Sequence, residues 1–115
     1  MCIRDRSTES VLDLSDSEAL VDLGDISIEN FYDDIRSGVE DVTSKNLKPL
    51  ILGGDHSITY PVISKMAEKY PDLSILHLDA HGDLYHDFNG NRFSHASPFA
   101  RIMDCLLYTS DAADE

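Results

Sequence analysis

Cysteine is almost missing: the 115-residue chain has two, Cys2 and Cys105, near opposite ends. Neither stands in a metal-type spacing. That excludes a disulfide scaffold, and the expected setting is intracellular and cytoplasmic. Basic residues are scarce too, with nine Lys and Arg against 22 Asp and Glu, for a formal net charge of −13. Nucleic acid is therefore not an expected partner, because neutralising phosphates needs clustered cations. An anionic membrane surface is disfavoured for the same reason. No apolar run approaches the roughly 18–20 residues of a membrane span. What is present suffices for one domain of roughly 100–150 residues. At 42% hydrophobic residues the chain can build a core and is not a disordered acidic tail. All five histidines fall between positions 56 and 95. Composition alone points to one chemically loaded stretch.

The two ends differ from the middle. Residues 1–7 and 105–115 continue no periodic pattern of their neighbours and resemble translated sequencing-adapter sequence. The opening has no apolar segment of a signal peptide. Residues 8–104 are expected to be the informative piece, an internal part of a larger domain. The first seven residues carry +1 and the last eleven −3, so the piece between them keeps −11.

Strand and helix patterns alternate in that piece. Residues 19–26 form a short apolar run that ends in a Gly-Asp turn. Ile28, Phe31, Ile35, Val39 and Val42 then fall at steps of three and four, one face of a helix. Asn46 and Pro49 stop it. Residues 49–52 read as a buried strand before Gly53-Gly54. Ile58, Val62, Ile63, Met66 and Tyr70 give a second helical face, with Ser57 or Thr59 as N-cap and Pro71 as its stop. Residues 73–79 read as a third strand, apolar on both faces. Strand–helix–strand–helix–strand predicts an α/β fold with right-handed crossovers and a parallel sheet covered by helices on both sides.

Two motifs sit at the expected carboxyl ends of strands, where open parallel sheets collect ligands. Gly53-Gly54-Asp55-His56-Ser57 follows the second strand, and its glycines permit a tight turn. Asp79-Ala80-His81-Gly82-Asp83 follows the third. In an extended segment Asp79, His81 and Asp83 share one face. With His56 they make a mixed oxygen and nitrogen donor set suited to Mn or Zn, and nothing in it is soft enough for Cu(I) or an Fe–S cluster. Either motif alone is equally compatible with a solvated turn or a helix cap; their joint placement favours a metal site. His77 reads as a hydrogen-bonded core histidine, and His86 as a loop residue.

These two motifs, with Ser94-His95-Ala96-Ser97-Pro98-Phe99 and Asp22-Leu23-Gly24-Asp25, resemble the ureohydrolases: arginase, agmatinase and their guanidino-acid relatives. The resemblance implies a fragment of a three-layer α/β/α sandwich, arginase/deacetylase-like, with two Mn2+ per site in the complete protein. It implies that His56 and Asp83 bind one metal, that His81 binds the other and that Asp79 bridges. It further implies a hydroxide nucleophile attacking the guanidinium carbon of a small cationic substrate, and His95 as the residue that passes a proton to the leaving amine. The acidic surface favours such a substrate electrostatically. A homo-oligomer is implied for the complete protein.

The family's site also draws an Asp-x-Asp pair from a later strand, and this chain contains no such pair in place. The expectation is that these 115 residues alone neither hold two metals tightly nor turn over substrate. On specificity, Asn91 is the weak candidate for contacting the substrate's far end, although its spacing to His95 departs from the arginase pattern. The Ser-His-Ala-Ser-Pro-Phe segment favours agmatine, giving putrescine and urea, with arginine or guanidinobutyrate as alternatives. From other classes, a metallophosphoesterase would carry its Asp-x-His before its Gly-Asp, the reverse of the order here. A deacetylase sharing the fold and a non-catalytic binding module are the remaining readings.

Overall fold

The computed structural model describes residues 20–105. Most of the two adapter-like ends therefore lie outside the described residues, as does the start of the first expected strand. Three α-helices organise the rest: α1 (Phe31–Ser44), α2 (Thr59–Lys69) and α3 (Pro98–Cys105). A 3-10 turn, His56–Ile58, leads into α2.

Helix α1 starts three residues later than the apolar spacing predicts, and Ile28 stays exposed ahead of it. The carboxylate of Asp34 sets that start. Its Oδ2 accepts from the backbone N–H groups of Glu29 and Asn30, both at 2.7 Å. The N–H of the N-cap Asn30 and that of the residue before it are thereby satisfied. Asp33 and Asp34 also place negative charge at the positive end of the helix. Ile35 and Val39 form its buried stripe, as their spacing predicts. The expected stop at Asn46 is found. Asn46 takes φ +60, with its N–H on Thr43 O at 3.1 Å and that of Leu47 on Val42 O at 3.3 Å. This is a Schellman close with asparagine at the left-handed position. Asn46→Val should lower stability by about 1–2 kcal/mol, because a β-branched residue resists that φ, whereas Asn46→Gly should be tolerated. Denaturant unfolding of the two variants checks this, and equal stability of the valine variant and the parent would contradict it.

Helix α2 packs against both α1 and α3. Its entry is capped by neither expected residue: Asp55 Oδ1 accepts from Ser57 N at 2.9 Å. Pro71 ends it as expected, with Tyr70 N closing on Met66 O at 2.9 Å. The α1–α2 seam is polar where it nears solvent. Tyr32 Oη and Arg36 Nη1 meet Ser64 Oγ at 3.1 and 2.6 Å, Arg36 pairs with Glu68, and Lys65 bridges Glu40 and Glu68, both at 3.0 Å. Lys69 Nζ donates to Thr43 O, bringing a cation to the negative end of α1.

Helix α3 opens on proline, whose missing N–H is lost at no cost in a first helical turn. Its Ile102 is fully buried, and Ser97 before it is buried with Oγ 3.0 Å from Ser94 Oγ.

The expected parallel sheet is not formed among the described residues. The segments read as strands have no ladder, and the only bridge there is the isolated pair Phe88 and Asn91. Leu76 and Leu78 are 82% and 85% exposed, and Leu50 and Leu52 are exposed too. Buried parallel strands need neighbours and cover on both faces. Here these leucines face solvent, so little apolar burial offsets the entropy of ordering a ladder.

Candidate metal centre

Gly53 brings the backbone close to the start of α2; a Cβ there would lie 1.8 Å from Ile58 Cδ1. The following Asp55 does not face the site as a free carboxylate. It accepts from both the backbone and the hydroxyl of Ser57, and these bonds hold its carboxyl below the usual carboxylate range, with help from the charges of His95 and His56. Asp55 thus shapes the turn that presents His56.

The second motif departs from an extended strand. Asp79 Oδ1 accepts from His81 N at 3.0 Å, a side-chain turn that bends the chain at Ala80 and His81. Asp83 then takes φ +48. Strict alternation is broken at the bend, and the expected common face of Asp79, His81 and Asp83 breaks with it. His81 swings outward, its side chain 82% exposed, with Nδ1 3.6 Å from Asp79 Oδ1. Asp83 returns inward and pairs with His56 Nδ1. Its carbonyl also accepts from Ala100 N at 3.4 Å, which ties the motif to α3.

The residues brought together are His56, His77, Asp79 and Asp83, one donor atom from each lying within 4.8 Å of the others. His56 Nδ1 and His77 Nε2 each stand 3.7 Å from Asp79 Oδ2. The N–H of His81 holds the Asp79 carboxyl below its usual range, and the nearby His56 and His77 charges add to this. His77 is the member that the sequence reading assigned to the core. It is half-buried, and its Nε2 is buried without a hydrogen-bond partner. The signal was there: His77 lies two residues before Asp79, on the same face of an extended segment.

These donors fit a divalent cation. Two carboxylates and two imidazoles offer hard and borderline ligands, the set expected for Mn or Zn. His77 Nε2 makes no hydrogen bond within the cluster.

His95 is exposed, its ring edge against Phe88 with centroids 5.4 Å apart. It lines a cleft of ≈ 450 Å³ together with His81, Asp83 and Tyr85. His95 and the outward-facing His81 therefore border one space beside the cluster. Asn91 is placed by a two-residue hairpin. Phe88 and Asn91 exchange backbone hydrogen bonds at 3.0 Å, around Asn89 and Gly90 at φ +54 and +78. Asn-Gly between the paired residues is the sequence signal for that turn. The Asn91 Oδ1 accepts from Phe93 N at 2.9 Å, so its carbonyl serves the loop. His86 is exposed in the same loop, as expected.

The model of the arginase family matches residues 3–112. A mitochondrial arginase of Medicago truncatula is 45% identical over 113 residues, covering 85% of this chain and 32% of the relative. An agmatinase of Bacillus cereus is 42% identical over 72 residues, covering 59% of this chain and 25% of the relative. The solved structure of arginase from Medicago truncatula superposes with a TM-score of 0.75 at 39% identity, over 91% of this chain and 37% of that one. The chain thus spans about a third of the length of the curated relatives it matches. No helix among the described residues is long and apolar enough to cross a membrane.

Proposed function

The chain belongs to the arginase family, and from that premise we propose that it is one part, centred on residues 8–104, of a hydrolase that splits guanidino compounds into urea and an amine. The gathering of His56, Asp79 and Asp83 beside a cleft bordered by His81 and His95 carries this reading. In the complete protein these residues sit in an α/β/α sandwich, and later segments supply the sheet cover and the remaining carboxylates.

His56, Asp79 and Asp83 would hold one metal, and His81, beside Asp79, would serve a second. Manganese fits the donor set and the family. When bound, it would lower the pKa of water far toward neutrality and so supply a nucleophile. Guanidinium needs this because resonance makes it a poor electrophile. The acidic surface of the chain would draw in a cationic substrate. His95 at the cleft holds a proton and delivers it to the departing amine, a step suited to imidazole.

The substrate reading moves from the agmatine expected above. Similarity to a plant arginase extends over 85% of the chain, against 59% for the agmatinase, which favours arginine; agmatine is the second reading, supported by Ser94–Phe99. The plant relative is described as mitochondrial, which favours an organellar setting over the cytoplasmic one expected. Urea release from arginine and agmatine, measured side by side on the full-length protein, decides. A rate at least about tenfold higher on arginine, about 1.4 kcal/mol in transition-state binding, is expected. A preference for agmatine would reverse the choice, and release from neither would defeat the hydrolase reading.

A further inference from the structure

His77 belongs to the cluster, yet the proposed metal chemistry gives it no task. Its ring is fixed: it stacks on Phe99 of α3 with centroids 3.8 Å apart and planes 20° apart. Its Nε2 is buried and unpartnered, and it faces Asp79 Oδ2 at 3.7 Å. An unpaired buried ring nitrogen costs about 1–3 kcal/mol. Asp79 is gripped on its other side, where Oδ1 accepts from His81 N at 3.0 Å. The carboxylate is partly open to solvent while His77 Nε2 is not. The imidazole therefore approaches the carboxylate from its buried side.

We propose that His77 is a positioning residue: its Nε2–H, 3.7 Å from Asp79 Oδ2 here, closes to donate to that oxygen when the cation is held and fixes the carboxylate in its ligating orientation. The proposal rests on the metal reading of the site. Groups that orient metal ligands commonly contribute about 10–100-fold to metal affinity.

The test uses the full-length protein, with Mn2+ binding followed by electron paramagnetic resonance and bound nitrogens counted by its pulsed form. His77→Phe keeps an aromatic ring to stack on Phe99 and removes the donor. It should weaken Mn2+ binding about 10–100-fold, leave the nitrogen count unchanged and leave the metal-free melting temperature within about 2 °C. His77→Gln, which restores an N–H donor, should recover most of the affinity. Three results would overturn the proposal: unchanged affinity in His77→Phe, loss of one bound nitrogen (which makes His77 a ligand), or a lowered metal-free melting temperature with no rescue by glutamine. His56→Ala separates this from failure of the site itself. If that variant binds Mn2+ like the parent, or the parent binds none, the metal reading falls and the role of His77 falls with it.

Discussion

Asp83→Ala should weaken Mn2+ binding of the full-length protein by at least about 100-fold, equivalent to about 2.8 kcal/mol. Asp83 is the carboxylate most enclosed by the site. It pairs with His56 Nδ1, is held at φ +48 and is only 13% exposed at its side chain. Removing it deletes a donor and a negative charge together, and leaves His56 without the partner that orients its ring. Losing an orienting group alone costs about 10–100-fold, and the loss of a donor should exceed that. Asp83→Asn keeps the shape and one oxygen but not the charge, and should fall between parent and alanine. Titration with Mn2+ against the free-ion signal reads both variants. An alanine variant within about threefold of the parent would remove Asp83 from the metal centre.

The second large effect concerns the floor under the site. Ile102 of α3 is fully buried. Ile102→Ala should destabilise by about 2–5 kcal/mol, from lost transfer energy and the cavity left behind. The same helix carries Phe99 under His77 and receives the Asp83 carbonyl through Ala100 N. A loosened α3 should therefore weaken Mn2+ binding as well as lower the melting temperature. Ile102→Val, which removes a single methyl, should cost about 0.5–1.5 kcal/mol. Denaturant unfolding checks both. An alanine variant as stable as the parent would mean that α3 is not packed as described.

How much could be read in advance differs between elements. The buried stripe of α1 was legible because Ile35 and Val39 repeat at helical spacing. Its end was legible because asparagine tolerates the left-handed turn at position 46. Its beginning was not, because Asp34 reaches back to two backbone donors and fixes the start irrespective of Ile28. The strands follow from apolar runs alone, but a ladder needs neighbours, and no run of residues reports whether a neighbour and a covering face are at hand. Leu76 and Leu78 show the consequence. Within the site, His56, Asp79 and Asp83 were legible from motif spacing. His77 joins the cluster while the His81 side chain points outward beside it, for one local reason. The Asp79 carboxylate bends the chain at His81, so the two-residue alternation runs backward from Asp79 toward His77 and not forward. Asn91 shows a similar competition, with its side-chain oxygen satisfying the loop's own backbone at Phe93.

The most direct measurement is urea release by the full-length protein before and after its metal is stripped by a chelator and replaced. The expected result is release from a guanidino substrate that vanishes on chelation, returns with Mn2+ and does not return in Asp79→Ala. Undiminished release from the stripped protein, or full recovery in the Asp79 variant, would contradict a metal centre built on His56, Asp79, His81 and Asp83.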